Sequence, residues 1–290
     1  MSTNETKNIW FAVSLTEFLL MFIINVFTLI IFARTLQLRK RSTYLIMNLT
    51  VADLLIAAVS GPEALCFLKT EKRPGHGLRA LHLIISDMCW IASLGNLVLI
   101  SLERLHATLY PFRHYCLVGK RIYHKIIIFS WLGALTLACV AYIIHMKDPA
   151  LASRYPWLIY VILTLAVLTS SYVIILSRFI RKPRVQQLGS VISAERKISG
   201  TLFIVSAAST LTLFPWVIIT CISIIQTVTL WIEFTPYRIV LTFYYLNSIL
   251  NPVIYAIRLP EFRRALKELF CINTLYQVIR RDQPTELQAM

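Results

Sequence analysis

The residues able to do chemistry in this sequence are few, and most sit inside or beside long apolar runs. Asp53 lies in the middle of "NLTVADLLIAA". Glu103 and Arg104 close an apolar stretch at "SLERLHATLYPF". Asp87 follows Ser86 in another run, and Glu63 stands next to Pro62. An ionisable side chain in such surroundings is costly, so each is a candidate functional group. An isolated Asp53 carboxylate would protonate or recruit a cation. Asn25, Ser93, Asn247 and Asn251 lie in other apolar runs and could converge on it. Oxygen ligands around one carboxylate suit a small hard cation such as sodium. The same residues also fit a purely structural hydrogen-bond network around a neutral Asp53.

Catalysis finds no support. No nucleophile–base pair, phosphate loop or metal-ligand spacing is present. The six cysteines, Cys66, Cys89, Cys116, Cys139, Cys221 and Cys271, form no CxxC pair. They read as small hydrophobes rather than as a metal site or a disulfide framework. No organic cofactor is called for, and the chain is not expected to be an enzyme.

The elements that must position these residues are helices that cross a membrane. Of 290 residues, 57% are hydrophobic and only 15% charged, against about 25% charged in soluble domains. A spanning helix needs about 20 mostly apolar residues. Seven runs qualify, at 9–34, 42–68, 78–110, 122–145, 155–180, 196–227 and 232–257. The fold class expected is all-α, a seven-transmembrane bundle. A final amphipathic stretch, "LPEFRRALKELF", sets Leu259, Phe262, Leu266, Leu269 and Phe270 on one stripe, with Arg263, Arg264, Lys267 and Glu268 elsewhere. This predicts an interfacial helix over 258–271. Cys271 is placed for palmitoylation, a plain thiol being the alternative. The tail at 272–290 is polar and expected to be disordered.

The net charge of +15 raises nucleic-acid binding, but its distribution excludes it. Twenty-one of the 29 Lys and Arg residues fall at alternate ends of the runs, beginning after the first; eight fall at the others, Arg79 and Arg238 among them. The positive-inside rule then puts the first set in the cytoplasm and residues 1–8 outside the cell. The first run can serve as an uncleaved signal anchor. Asn4-Glu5-Thr6 is a glycosylation sequon on the expected outer side. Asn48-Leu49-Thr50 also fits the pattern but lies in a span.

Glu103 and Arg104 end the third run on the cytoplasmic side. Glu195 opens the sixth, in "SAERKISG". An Arg–carboxylate pair between these helix ends could hold that face shut, and breaking it would open a cleft. Exposed pairs are weak, but a partly buried one can bias a bistable bundle. Pro62, Pro215 and Pro252 each remove a helical hydrogen bond and mark places where a span can bend.

Taken in order along the chain, these residues resemble the rhodopsin-like (class A) G-protein-coupled receptors. Asn25 in "INV" resembles the first-span motif. "NLTVAD" resembles the second-span motif ending in Asp53. "ERL" resembles the third-span DRY motif, and Trp131 the fourth-span Trp. Tyr172 occupies the fifth-span Tyr position. "NPVIY", Asn251 to Tyr255 with Pro252, matches the seventh-span motif in full.

The resemblance implies a plasma-membrane receptor with an extracellular N-terminus. It would bind an outside ligand, swing its sixth span outward and activate a heterotrimeric G protein. Arg104, Tyr172 and Tyr255 would make active-state contacts, with Glu103 and Glu195 restraining Arg104 at rest. Asp53, Ser93, Asn247 and Asn251 match the family's sodium pocket. The sequence also departs from the family. The sixth-span CWxP motif reads "TLFP", with Leu213 where Trp is usual and Ser209 below it for Phe. Thr164 holds the fifth-span Pro position. Arg79 replaces the outer Cys of the third span, so the usual outer disulfide cannot form. Melanocortin, cannabinoid and lysophospholipid receptors share that absence, which fixes no subfamily.

Ligand candidates by position are Glu63, Ser86, Asp87, Trp90, Trp216, Tyr237 and Tyr245. Trp90 and Trp216 are the candidates to replace the missing trigger. Tyr245 stands where a visual pigment carries its retinal Lys. A transporter should show internal repeats, and none is seen. A non-coupling homologue, a scavenger or heteromer partner, shares every motif and stays as the alternative.

Overall fold

The computed structural model describes residues 3–35, 43–70, 76–110, 113–114, 119–147, 149–181, 204–205, 207–222 and 234–269. Among these, six helices are long and apolar enough to cross a membrane. They are α1 (Thr3–Arg34), α2 (Thr43–Thr70), α3 (His76–Leu109), α4 (Lys120–Lys147), α5 (Pro149–Arg181) and α7 (Phe234–Arg258). A shorter apolar helix, α6 (Ala207–Ile222), is the described part of the sixth run. A last helix, α8, covers 260–269. The all-α expectation holds, and the chain is a multi-pass membrane protein. Glu195, Cys271 and the tail lie outside the described residues, as do the side chains of Asn4, Glu63 and Tyr237.

The helices follow the apolar runs but overrun them at the ends. α1 begins at Thr3 rather than at residue 9, with Glu5 in its first turn and Arg34 in its last. Those charges oppose the helix dipole favourably. α8 starts at Pro260, whose missing N–H costs nothing at a first helical position. The backbone carries over from α7 through Leu259 N–H to Tyr255 C=O and Arg263 N–H to Leu259 C=O.

α1 packs on α2 and α7, α2 on α3, and α3 on α4 and α5. The buried core runs through Met21, Leu49, Ile56, Leu94, Leu97 and Tyr255. Outward faces stay apolar and exposed, as at Phe129, Leu132 and Ile143 of α4 and Leu163 and Val173 of α5. With no water to exclude between lipid and helix, packing and hydrogen bonds hold the bundle together. Trp131 Nε1 donates to Asn48 Oδ1 at 2.9 Å, and Asn48 Nδ2 donates to Asn96 Oδ1 at 2.6 Å. That chain ties α4, α2 and α3. The Tyr160 hydroxyl donates to the Ile91 carbonyl at 2.7 Å and ties α5 to α3.

One expectation is corrected. Arg238, taken for a basic residue of an outer loop, lies inside α7 and is buried. It stands in electrostatic contact with the equally buried Glu17 of α1, which also hydrogen-bonds Thr242. Pairing is what makes both charges tolerable there. The apolar stripe expected for α8 packs inward against the bundle. Leu259, Phe262 and Ala265 are buried, and Phe262 meets Phe32 of α1 with ring centroids 5.4 Å apart. Arg263, Arg264, Lys267 and Glu268 remain exposed.

Candidate functional site

Three layers stack along the axis of the bundle. The middle layer centres on Asp53, fully buried in α2. The Ser93 hydroxyl of α3 donates to Asp53 Oδ1 at 2.6 Å, and the Ser248 hydroxyl of α7 donates to the same oxygen at 2.9 Å. Asn251 Nδ2 donates to Oδ2 at 3.0 Å. Asn25 of α1 reaches the Ser248 carbonyl at 3.4 Å and the Met21 carbonyl at 2.8 Å. Three helices thus meet at one carboxylate, and α1 joins them through the Ser248 carbonyl. Ser93 and Asn251 converge on Asp53 as expected, and Ser248 joins them unforeseen. Asn247 is buried beside it, and neither its amide oxygen nor its nitrogen makes a hydrogen bond among the described residues. In an α-helix both 247 and 248 lie near the 251 stripe, at spacings of four and three. The spacing could not choose between them.

The layer above is aromatic. Trp90 of α3 lies against Tyr244 of α7 with centroids 3.9 Å apart. Trp216 of α6 meets Tyr244 at 6.3 Å, its plane within 28° of parallel. Tyr245 contacts Trp90 at 5.6 Å and Phe18 of α1 at 4.9 Å. So Trp90, Trp216 and Tyr245 come together, around a ring the sequence reading missed, Tyr244. Leu213, where a Trp is usual, is fully buried. Ser86 accepts or donates within a polar chain, 3.3 Å from Ser60 and 3.2 Å from His82 Nε2, which lies 3.2 Å from the Val59 carbonyl. Asp87 is partly buried.

The layer below closes around Glu103. Arg104 Nε donates to Glu103 Oε2 at 2.6 Å, and Nη2 donates to Oε1 at 3.1 Å. The Tyr123 hydroxyl of α4 donates to Oε1 at 3.0 Å. His114 Nε2 lies 3.2 Å from the same oxygen. Arg104 is only 2% exposed, so it is held in the bundle rather than in solvent. The expected partner Glu195 lies outside the described residues. Tyr172 and Tyr255 are both buried, and Tyr255 is within electrostatic reach of Asp53 and of Tyr172. Pro252 is buried beside Asn251 in α7. Tyr123 and His114 were not foreseen, because their contact to Glu103 is made by the fold across 20 residues and by the connection between α3 and α4.

No three His, Cys, Asp or Glu side chains gather into a metal site among the described residues. The oxygen set at Asp53 is of another kind, with one carboxylate, two hydroxyls and an amide.

Residues 24–156 match the family described as 7 transmembrane receptor (rhodopsin family). That stretch runs from α1 into α5 and includes Asn25, Asp53, Ser93, Glu103, Arg104 and Trp131. Over 102 residues the chain is 35% identical to Proteinase-activated receptor 4 of Mus musculus, a match covering 34% of this chain and 26% of that receptor.

Proposed function

From the match of residues 24–156 to the rhodopsin family of seven-transmembrane receptors, we propose that the chain is a plasma-membrane receptor that activates a heterotrimeric G protein. Its N-terminus is extracellular on this reading, and it performs no catalysis of its own. The observation that carries the proposal is the clamp on Arg104. A guanidinium almost wholly buried at a helix end and bonded to the neighbouring carboxylate is an expensive arrangement with no evident structural need.

The three layers give the mechanism. A ligand entering the outer half meets the Trp90–Tyr244–Trp216 rings. Trp90 lies one helical turn from Ser93, and Tyr244 one turn from Ser248. Movement of the rings therefore displaces both hydroxyl donors of Asp53. The change passes down α7 through Asn251 and Pro252 to Tyr255. Arg104 then leaves Glu103 for Tyr172 and Tyr255, and α6 swings out to admit the G protein. Glu195 is a second restraint on Arg104. Asp53, Ser93 and Ser248, with the Asn247 amide that makes no hydrogen bond among the described residues, have the chemistry to hold a sodium ion. Such an ion would neutralise the Asp53 charge and favour the resting packing.

A second reading, a homologue that does not couple, draws on Leu213. A buried aliphatic side chain in place of the usual Trp leaves α6 without the family's trigger. One experiment separates the two. Ligand-free activation of each main Gα class is measured in cells, beside Arg104→Ala at equal surface expression. A basal signal lost in the variant supports coupling. A signal retained in full by Arg104→Ala removes Arg104 from the mechanism. Silence of both wild type and Glu103→Gln favours the non-coupling homologue.

A further inference from the structure

His106 and His114 face each other below Glu103, with Nδ1 to Nδ1 at 3.0 Å. Both backbones are fixed, His106 within α3 and His114 through its N–H to the Tyr110 carbonyl at 2.9 Å. Two facing ring nitrogens at this distance can share only one hydrogen. The other nitrogen of His114, Nε2, stands 3.2 Å from Glu103 Oε1 and must donate to it, since a carboxylate only accepts. The tautomers of the neutral pair follow. His114 carries its hydrogen on Nε2 and accepts at Nδ1, so His106 donates from Nδ1. One added proton is accommodated on either ring with every contact kept. A second would put hydrogens on both facing nitrogens and break the contact. The pair therefore carries zero or one positive charge.

We infer that His106 and His114 form a single-proton site on the Glu103 side of the bundle, read out as the strength of the Arg104–Glu103 clamp. Among the described residues, the groups facing it are Glu103, Arg104 and Tyr110 from α3 and Tyr123 from α4, with Tyr44 of α2 behind Tyr123 and His124 against Tyr44. Glu103 is the one carboxylate among them. In the neutral state Arg104 is the cation that meets that carboxylate among the described residues. A proton on the His pair adds a second cation through His114 Nε2. Glu103 then needs Arg104 less, and the two cations repel. Protonation thus loosens the clamp, and imidazoles gain protons between about pH 8 and pH 5. A metal is not implied, because Glu103 meets the ring nitrogen of His114 that points away from His106, so the three groups do not converge.

The signalling consequence rests on the coupling reading above; the shared proton does not. The first measurement is NMR of ¹³C-labelled histidine in the full chain in nanodiscs, from about pH 8 to pH 5, with His106→Gln and His114→Gln to assign signals. One titration step common to both rings, altered at each ring by substitution of the other, is expected. Two independent steps would overturn the site. The second is nucleotide exchange on purified G protein at about pH 6 and pH 7.5. Wild type is expected to exchange about threefold to fivefold faster at the lower pH, with the response lost in His114→Gln and in Glu103→Gln. The same pH response in His114→Gln would overturn the clamp readout. Absence of exchange in wild type and Glu103→Gln alike would remove the coupling reading, while the NMR result stands or falls separately.

Discussion

Ser248 donates its hydroxyl to Asp53 Oδ1 at 2.9 Å while its carbonyl accepts from Asn25 at 3.4 Å. A single residue of α7 thereby binds the second helix by its side chain and the first by its backbone. Ser248→Ala removes only the first of these links. A hydrogen bond to an ionised group contributes about 1.5–3 kcal/mol, though bonds between membrane helices average nearer about 0.6 kcal/mol. The expected loss is about 1 kcal/mol of stability, read as a lower melting temperature in nanodiscs. A melting temperature equal to wild type would remove Ser248 from the core network.

Asn247→Ala should behave differently. Its amide is buried without a hydrogen bond among the described residues, so its removal is expected to cost little stability in choline chloride. In sodium chloride the outcome changes if the amide oxygen helps hold the ion. Wild type is then expected to melt higher in sodium than in choline, and Asn247→Ala to lose most of that difference. Equal sodium stabilisation in both would restrict the cation site to Asp53, Ser93 and Ser248.

The contrast between these neighbours marks what was legible in the sequence. Apolar length identified the spans, since a bilayer demands about 20 such residues whatever the fold. The costly groups within them, Asp53 and Arg104, were equally visible. Which neighbour turns toward Asp53 was not, because the choice between 247 and 248 depends on the rotation of α7 against α2. Arg238 was misplaced because an Arg near the end of an apolar run reads as loop, whereas its partner Glu17 sits 221 positions away on α1 and gives no local signal. The missing trigger Trp was legible at Leu213. The ring bridging its replacements, Tyr244, emerged only when three helices were assembled. Glu195, Glu63, Tyr237 and Cys271 lie where the structure describes no side chains.

Tyr123→Phe tests the Glu103 clamp with the least disturbance. The ring still packs against Tyr44, while Glu103 Oε1 loses one donor at 3.0 Å. Two opposing effects follow. The carboxylate is less satisfied, which tightens its hold on Arg104; α4 is also freed from the clamp, which loosens the base on which it is built. The first dominates, because Arg104 bonds both carboxylate oxygens directly. Basal exchange should therefore fall by about twofold to fivefold, matching about 0.5–1 kcal/mol. Glu103→Gln should raise it. A rise in both would show that Tyr123 acts by fixing α4 rather than by sharing the carboxylate.

The aromatic layer yields the most specific test of how a chain with Leu213 could be triggered. Trp90, Tyr244 and Trp216 come from α3, α7 and α6, and Tyr244 touches both Trp rings. If Tyr244 transmits motion between them, Tyr244→Leu should uncouple the two outer indoles, whereas Tyr244→Phe keeps the stack. Aromatic pairs contribute about 0.5–1.5 kcal/mol beyond burial, so coupling of that size between Trp90→Leu and Trp216→Leu is expected in a double-mutant cycle on basal exchange. The two Trp rings meet through Tyr244, and the coupling should vanish in a Tyr244→Leu background and persist in Tyr244→Phe. Thermal stability measured on the same proteins separates packing from transmission. A mere packing role gives coupling in melting temperature alone; transmission gives it in exchange as well. Coupling that survives Tyr244→Leu would mean that α3 and α6 communicate by another route.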